Sequence, residues 1–64
     1  MKFTVDFEGN TVKVGNPIAF PWGKEKRLVS GIVFECFPEG VDVRFELAGN
    51  TVTSFVPCEN MVRI

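Results

Sequence analysis

Hydrophobic and polar positions alternate with a period of two through most of this chain, and no helix of useful length fits anywhere in it. The clearest case is Val41 to Leu47. Val41, Val43, Phe45 and Leu47 fall on one face, and Asp42, Arg44 and Glu46 on the other. β-Branched and aromatic residues at that period mark a half-buried strand. Arg27 to Phe37 forms the other arm of a hairpin, joined through Pro38-Glu39-Gly40. Proline presets φ for the first corner of a type I turn, and Gly40 is expected in the left-handed region with a one-residue bulge. Leu28 to Phe37 is apolar on both faces apart from Ser30 and Glu35. Such a strand is expected to bend, with Gly31 as the corner where a neighbour comes close.

Lys2 to Phe7 alternates in the same way, which predicts Phe3, Val5 and Phe7 inward and Lys2, Thr4 and Asp6 outward. Gly9-Asn10 reads as a two-residue turn, and Thr11 to Val14 returns with Val12 and Val14 on its apolar side. Gly15-Asn16-Pro17 breaks the ladder before Ile18-Ala19-Phe20. Pro21 to Arg27 has no useful periodicity and reads as an exposed loop of about seven residues. Ala48-Gly49-Asn50 turns the chain into Thr51 to Val56, where Val52 and Phe55 share a face only through a bulge. Pro57 to Asn60 suits one helical turn, and Met61 to Ile64 a short last strand. The run Val5-Asp6-Phe7-Glu8-Gly9-Asn10-Thr11-Val12 resembles Val43-Arg44-Phe45-Glu46 followed, two residues later, by Gly49-Asn50-Thr51-Val52. Convergence of two tight hairpins on similar residues is the simpler account of this likeness than duplication.

Composition narrows the picture. Sixty-four residues make one domain, 1–64, with a thin core. A domain of this size buries only about 60% of the surface its unfolded chain exposes. Seven phenylalanines and one tryptophan exceed what so small a core absorbs easily, so a homo-oligomer is expected. Cys36 and Cys58 allow at most one bridge, and the opening MKFTVDFEGN has no apolar leader segment. The expectation is a cytoplasmic protein with two reduced thiols. There is no histidine and no CxxC pair, so neither zinc nor any other cofactor is expected. No apolar run approaches the ~20 residues that span a bilayer, so no membrane partner is expected. A net charge of −1 gives no bulk attraction to nucleic acid.

Candidate chemistry is sparse. Without histidine a general base would need a strongly shifted carboxylate or lysine, so no catalysis is expected. The segment Phe20 to Arg27 places Lys24, Lys26 and Arg27 beside Trp22. Cations neutralise phosphates and an indole face stacks on a base or holds a cation. The plain alternative is that Trp22 plugs one end of the fold while the cations are solvated. Phe20, Trp22 and Phe55 form a second candidate, an aromatic groove for a peptide, set against the simpler role of phenylalanine as core.

From Val14 onward the order of elements resembles an SH3-like barrel of KOW or Tudor-like outline. The likeness rests on Gly15-Asn16-Pro17-Ile18, the strand Ser30-Gly31-Ile32-Val33, one helical turn and the final Val62-Arg63-Ile64, and it covers about 50 of the 64 residues. It implies a five- or six-stranded barrel with an added N-terminal strand, and a groove beside the Trp22–Arg27 loop. Such barrels host many functions. The plasmid-borne, trimethoprim-resistant type of dihydrofolate reductase is similar in size and fold, with a Val-Gln-Ile-Tyr pore motif. Val52-Thr53-Ser54-Phe55 keeps the valine and an aromatic but lacks the glutamine and isoleucine that hold cofactor and folate. The expectation is therefore an all-β, non-catalytic interaction module whose partner is a protein or another copy of itself. Weak nucleic-acid binding through the Trp22–Arg27 loop is the alternative, and the pore-type dihydrofolate reductase activity a remote one.

Overall fold

Alternating strands joined by short turns account for most of the backbone. The computed structural model describes residues 2–64. In chain order the elements are β1 (Phe3–Val5), β2 (Thr11–Lys13), β3 (Pro17–Trp22), β4 (Arg27–Phe37), β5 (Gly40–Leu47), β6 (Asn50–Pro57), a 3-10 turn (Cys58–Asn60) and β7 (Val62–Arg63). The fold is all-β and every strand pairing is antiparallel. β1 and β2 make a small separate ladder, while the main sheet runs β6-β5-β4-β3-β7. That sheet stays open. Its ends, β6 and β7, are not hydrogen-bonded to each other, so the closed barrel implied by the resemblance is not formed.

In β5 the core forms on the face that the alternation predicts. Val41, Val43 and Phe45 of β5 are buried with Ile18, Phe20, Val33, Cys36, Val56, Met61 and Val12. Leu47, the fourth apolar residue of β5, lies at the sheet's end and is exposed. Gly31 is the close-approach point: a Cβ there would stand 2.7 Å from Val43 Cγ2 and 2.8 Å from the Arg44 carbonyl oxygen. β4 then slips register between Val33 and Glu35, so Phe34 is bulged out and lies under the Arg44 guanidinium, 5.0 Å from ring centroid to Cζ. The bulge expected in β6 is absent, since β6 pairs with β5 in one continuous register. Val52 and Val56 take the inner face, and Phe55 points out against Phe37 at 6.2 Å.

Three turns depart from the sequence expectation. Gly40 does not have positive φ and pairs directly with Phe37 across Pro38-Glu39. It must be glycine because a Cβ would strike the Val56 carbonyl oxygen and stand 2.7 Å from Phe55 Cζ. The expected seven-residue loop is only Gly23 to Lys26, because Pro21 and Trp22 continue β3 and Trp22 pairs with Arg27. Pro21 fits there for a geometric reason. Ile64 N donates to Pro17 O at 3.1 Å, so alternate residues of β3 turn their backbone toward β7. Pro21 continues that side beyond the two residues that β7 pairs, where no partner needs an N–H.

The N-terminal hairpin is the largest correction. Thr4 and Asp6 are buried, whereas Phe3, Val5 and Phe7 are exposed. The turn is not Gly9-Asn10 but Phe7-Glu8, with Gly9 at φ +84° and its N–H bonded to Asp6 O. The Asp6 carboxylate accepts from Glu8 N at 2.9 Å, Asn10 N at 2.8 Å, Asn10 Nδ2 at 3.2 Å and Arg63 N at 2.8 Å. One side chain thus closes its own turn and ties it to β7. Val14, expected on the apolar side of β2, lies in the turn after that strand and is exposed.

Candidate functional site

Two grooves flank Leu28, a β4 residue that is 76% exposed although apolar. The first, of about 540 Å³, is lined by Trp22, Lys24, Glu25, Arg27, Val29 and Leu47 along with Leu28. It lies where the β3–β4 hairpin ends, and Lys26 at φ +54° and Gly23 at φ +81° let four residues close that turn. This groove brings together three of the residues singled out from sequence, Trp22, Lys24 and Arg27; Lys26 belongs to the same turn and is exposed. Trp22 is half-buried and packs its ring against Phe45 at 5.0 Å and 70°, so part of the indole serves the core.

The aromatic trio is not assembled. Phe20 is 1% exposed and sits edge-on to Phe45 at 5.2 Å, inside the core. Phe55, 45% exposed on the outer face of β6, has Phe37 as its ring neighbour. The stretch Val52-Thr53-Ser54-Phe55 lies on the same edge strand, with its alternate residues on opposite faces.

The second groove was not anticipated. It has a volume of about 610 Å³ and is lined by Phe7, Pro21, Leu28 and Val62, floored by Ala19 and Phe20, with Glu59 and Asn60 at its polar rim. It exists because of the inverted N-terminal hairpin. Asp6 turns inward to bind Arg63 N, and Phe7, 69% exposed, is thereby presented beside β7. Phe7 N bonds Met61 O at 2.9 Å and fixes that placement. A sequence signal for it did exist. Aspartate at the first position of a turn and glycine at the fourth favour a type I turn starting at Asp6.

Burial alone would push the Asp6 carboxyl up, but the hydrogen bonds from Arg63, Asn10 and Glu8 outweigh it and hold the group below the usual aspartate value. Burial pushes the Cys36 thiol up, which disfavours a nucleophilic thiolate. The Cys58 thiol lies 3.2 Å from Thr4 Oγ1 and 3.6 Å from Pro38 O. Among the described residues no cluster of cysteine, aspartate and glutamate has the makings of a metal site, and no helix is long and apolar enough to cross a membrane. Compared with protein families, with curated proteins and with solved structures, the chain finds no match in any of the three.

Proposed function

We propose that this chain is a small non-catalytic interaction module that binds a protein segment in the groove between Phe7, Pro21, Leu28 and Val62. The observation that carries the reading is that groove's composition: exposed apolar side chains around a buried floor, with one acidic residue, Glu59, on the rim. Grooves of this kind take an apolar anchor from a peptide, and a carboxylate at the edge favours a basic residue beside that anchor. Selection from a peptide library tests it. The reading expects binders that join an apolar anchor to lysine or arginine, that shift the resonances of Phe7, Leu28 and Val62, and that are lost with Leu28→Asp. Binders that map elsewhere, or survive Leu28→Asp, contradict it.

A second reading rests on the other groove, where Lys24 and Arg27 stand beside Trp22. It favours weak contact with a single-stranded nucleic acid, whose affinity falls steeply with salt. The indole's packing on Phe45 and the net charge of −1 weigh against this reading. We read the module as a relative of the SH3-like group with an open sheet, a reading supported by the order of its elements from β3 onward.

A further inference from the structure

The long edge strand β6 carries a different message from either groove. Among the described residues its only sheet partner is β5. Ala48 at φ +52° and Gly49 at φ +81° form a two-residue turn, which makes Leu47 and Asn50 an exchanging hydrogen-bonded pair. The continuous register then gives the same role to Phe45–Val52, Val43–Ser54 and Val41–Val56. Thr51, Thr53 and Phe55 therefore turn their N–H and C=O groups away from β5, to the open edge. Pro57, which has no N–H, falls on that same side opposite Gly40.

An exposed edge is normally guarded by charge, a bulge or a central proline. β6 has none of these: Asn50 to Pro57 contains no Asp, Glu, Lys or Arg, its register is unbroken, and its one proline is the last residue. The opposite edge, β7, is only two residues long and includes Arg63. The sheet has one edge suited to pairing and one that is not.

We propose that two copies of this chain pair antiparallel through β6, about a two-fold axis at Thr53. The register follows from the free groups. With Thr53 opposite Thr53 of the second copy, Thr51 faces Phe55 and Phe55 faces Thr51, and all three residues exchange both bonds. Moving one copy along by two residues places either Pro57 or the turn residue Gly49 opposite one of the three. Side chains agree as well. The two-fold keeps Val52, Ser54 and Val56 on the core-facing side and aligns Phe55 of each copy with Thr51 of the other. No charge meets a like charge across the new pair, because the strand has none. The two five-stranded sheets become one continuous sheet, and the assembly closes as a dimer because β7 offers no second long edge.

Charge reversal at the axis tests this. Thr53 is exposed and stands opposite Arg44 of β5, so Thr53→Glu leaves the fold of each copy intact and Thr53→Lys costs it only one exposed like-charge pair, yet each sets like charges face to face in the dimer. The unmodified chain is expected to sediment at twice its 7.2 kDa, each variant at half that dimer mass, and an equimolar mixture of the two at the dimer mass again. A one-chain mass for the parent up to its solubility limit overturns the proposal, as does a mixture that stays single. Amide exchange on the unmodified chain gives an independent reading. Protection of the Thr51, Thr53 and Phe55 amides rises with concentration if β6 pairs, and no rise overturns it. The groove variant Leu28→Asp is expected to leave the mass unchanged, which separates this interface from the peptide-binding reading.

Discussion

Val5-Asp6-Phe7 in the N-terminal hairpin and Val43-Arg44-Phe45 in the central one have the same apolar–charged–apolar pattern, yet they bury opposite faces. Val43 and Phe45 are in the core and Arg44 is outside, whereas Asp6 is 4% exposed and Val5 and Phe7 face solvent. Period alone cannot choose between these outcomes, since it fixes which residues share a face and not which face is buried. What differs is the chemistry of the middle residue. A carboxylate only accepts hydrogen bonds, and Asp6 stands where backbone N–H groups of Glu8, Asn10 and Arg63 converge. A guanidinium only donates and gives those groups nothing. Arg44 finds its contact outside, over the Phe34 ring. The polar network at Asp6 outweighs burying three apolar side chains of a short hairpin, and exposing Phe7 creates the groove.

The comparison breaks most visibly at its two middle residues and the glycines near them. Asp6→Ala strips the acceptor from three backbone amides, and an unsatisfied buried donor costs about 1–3 kcal/mol. Even with partial rescue by water, a loss of about 3 kcal/mol is expected in urea unfolding. Gly40→Ala comes next, at about 2 kcal/mol, because the added Cβ meets backbone of β6 that cannot yield easily. Gly9→Ala should cost about 1 kcal/mol, the strain of a left-handed alanine in open space. Arg44→Ala removes one exposed cation–π contact, worth about 0.5–1 kcal/mol. An Arg44→Ala loss as large as that of Asp6→Ala contradicts the asymmetry between the hairpins.

Much of the fold was legible in the residues. The central strand's alternation, the close approach at Gly31, the single helical turn after Pro57 and the short last strand all follow from local pattern. The site was less so. Trp22, Lys24 and Arg27 share a groove as their spacing suggested, but Phe55 is drawn off by Phe37 through the pairing of β5 with β6. The Phe7 groove depends on a bond from residue 63 to residue 6, a long-range fact that no local window contains. Gly40 shows the same limit. Its turn chemistry suggested positive φ, while the real demand is space for Phe55, Val56 and Pro57 at the far end of the next strand.

Solution pH offers the most direct hold on the central claim that the Asp6 carboxylate sets the face of the N-terminal hairpin. Its folded pKa is lowered, so the stability it contributes is complete above the ordinary aspartate value of about 3.9 and is lost as pH falls through the lower folded value. The decisive measurement follows the amide proton shifts of Glu8, Asn10 and Arg63 through that acid range. All three should move together, with one shared midpoint below the ordinary aspartate value, although Arg63 lies at the far end of the chain. An Arg63 amide that ignores the titration, while Glu8 and Asn10 follow it, would show that Asp6 closes only its own turn, and the account would fail.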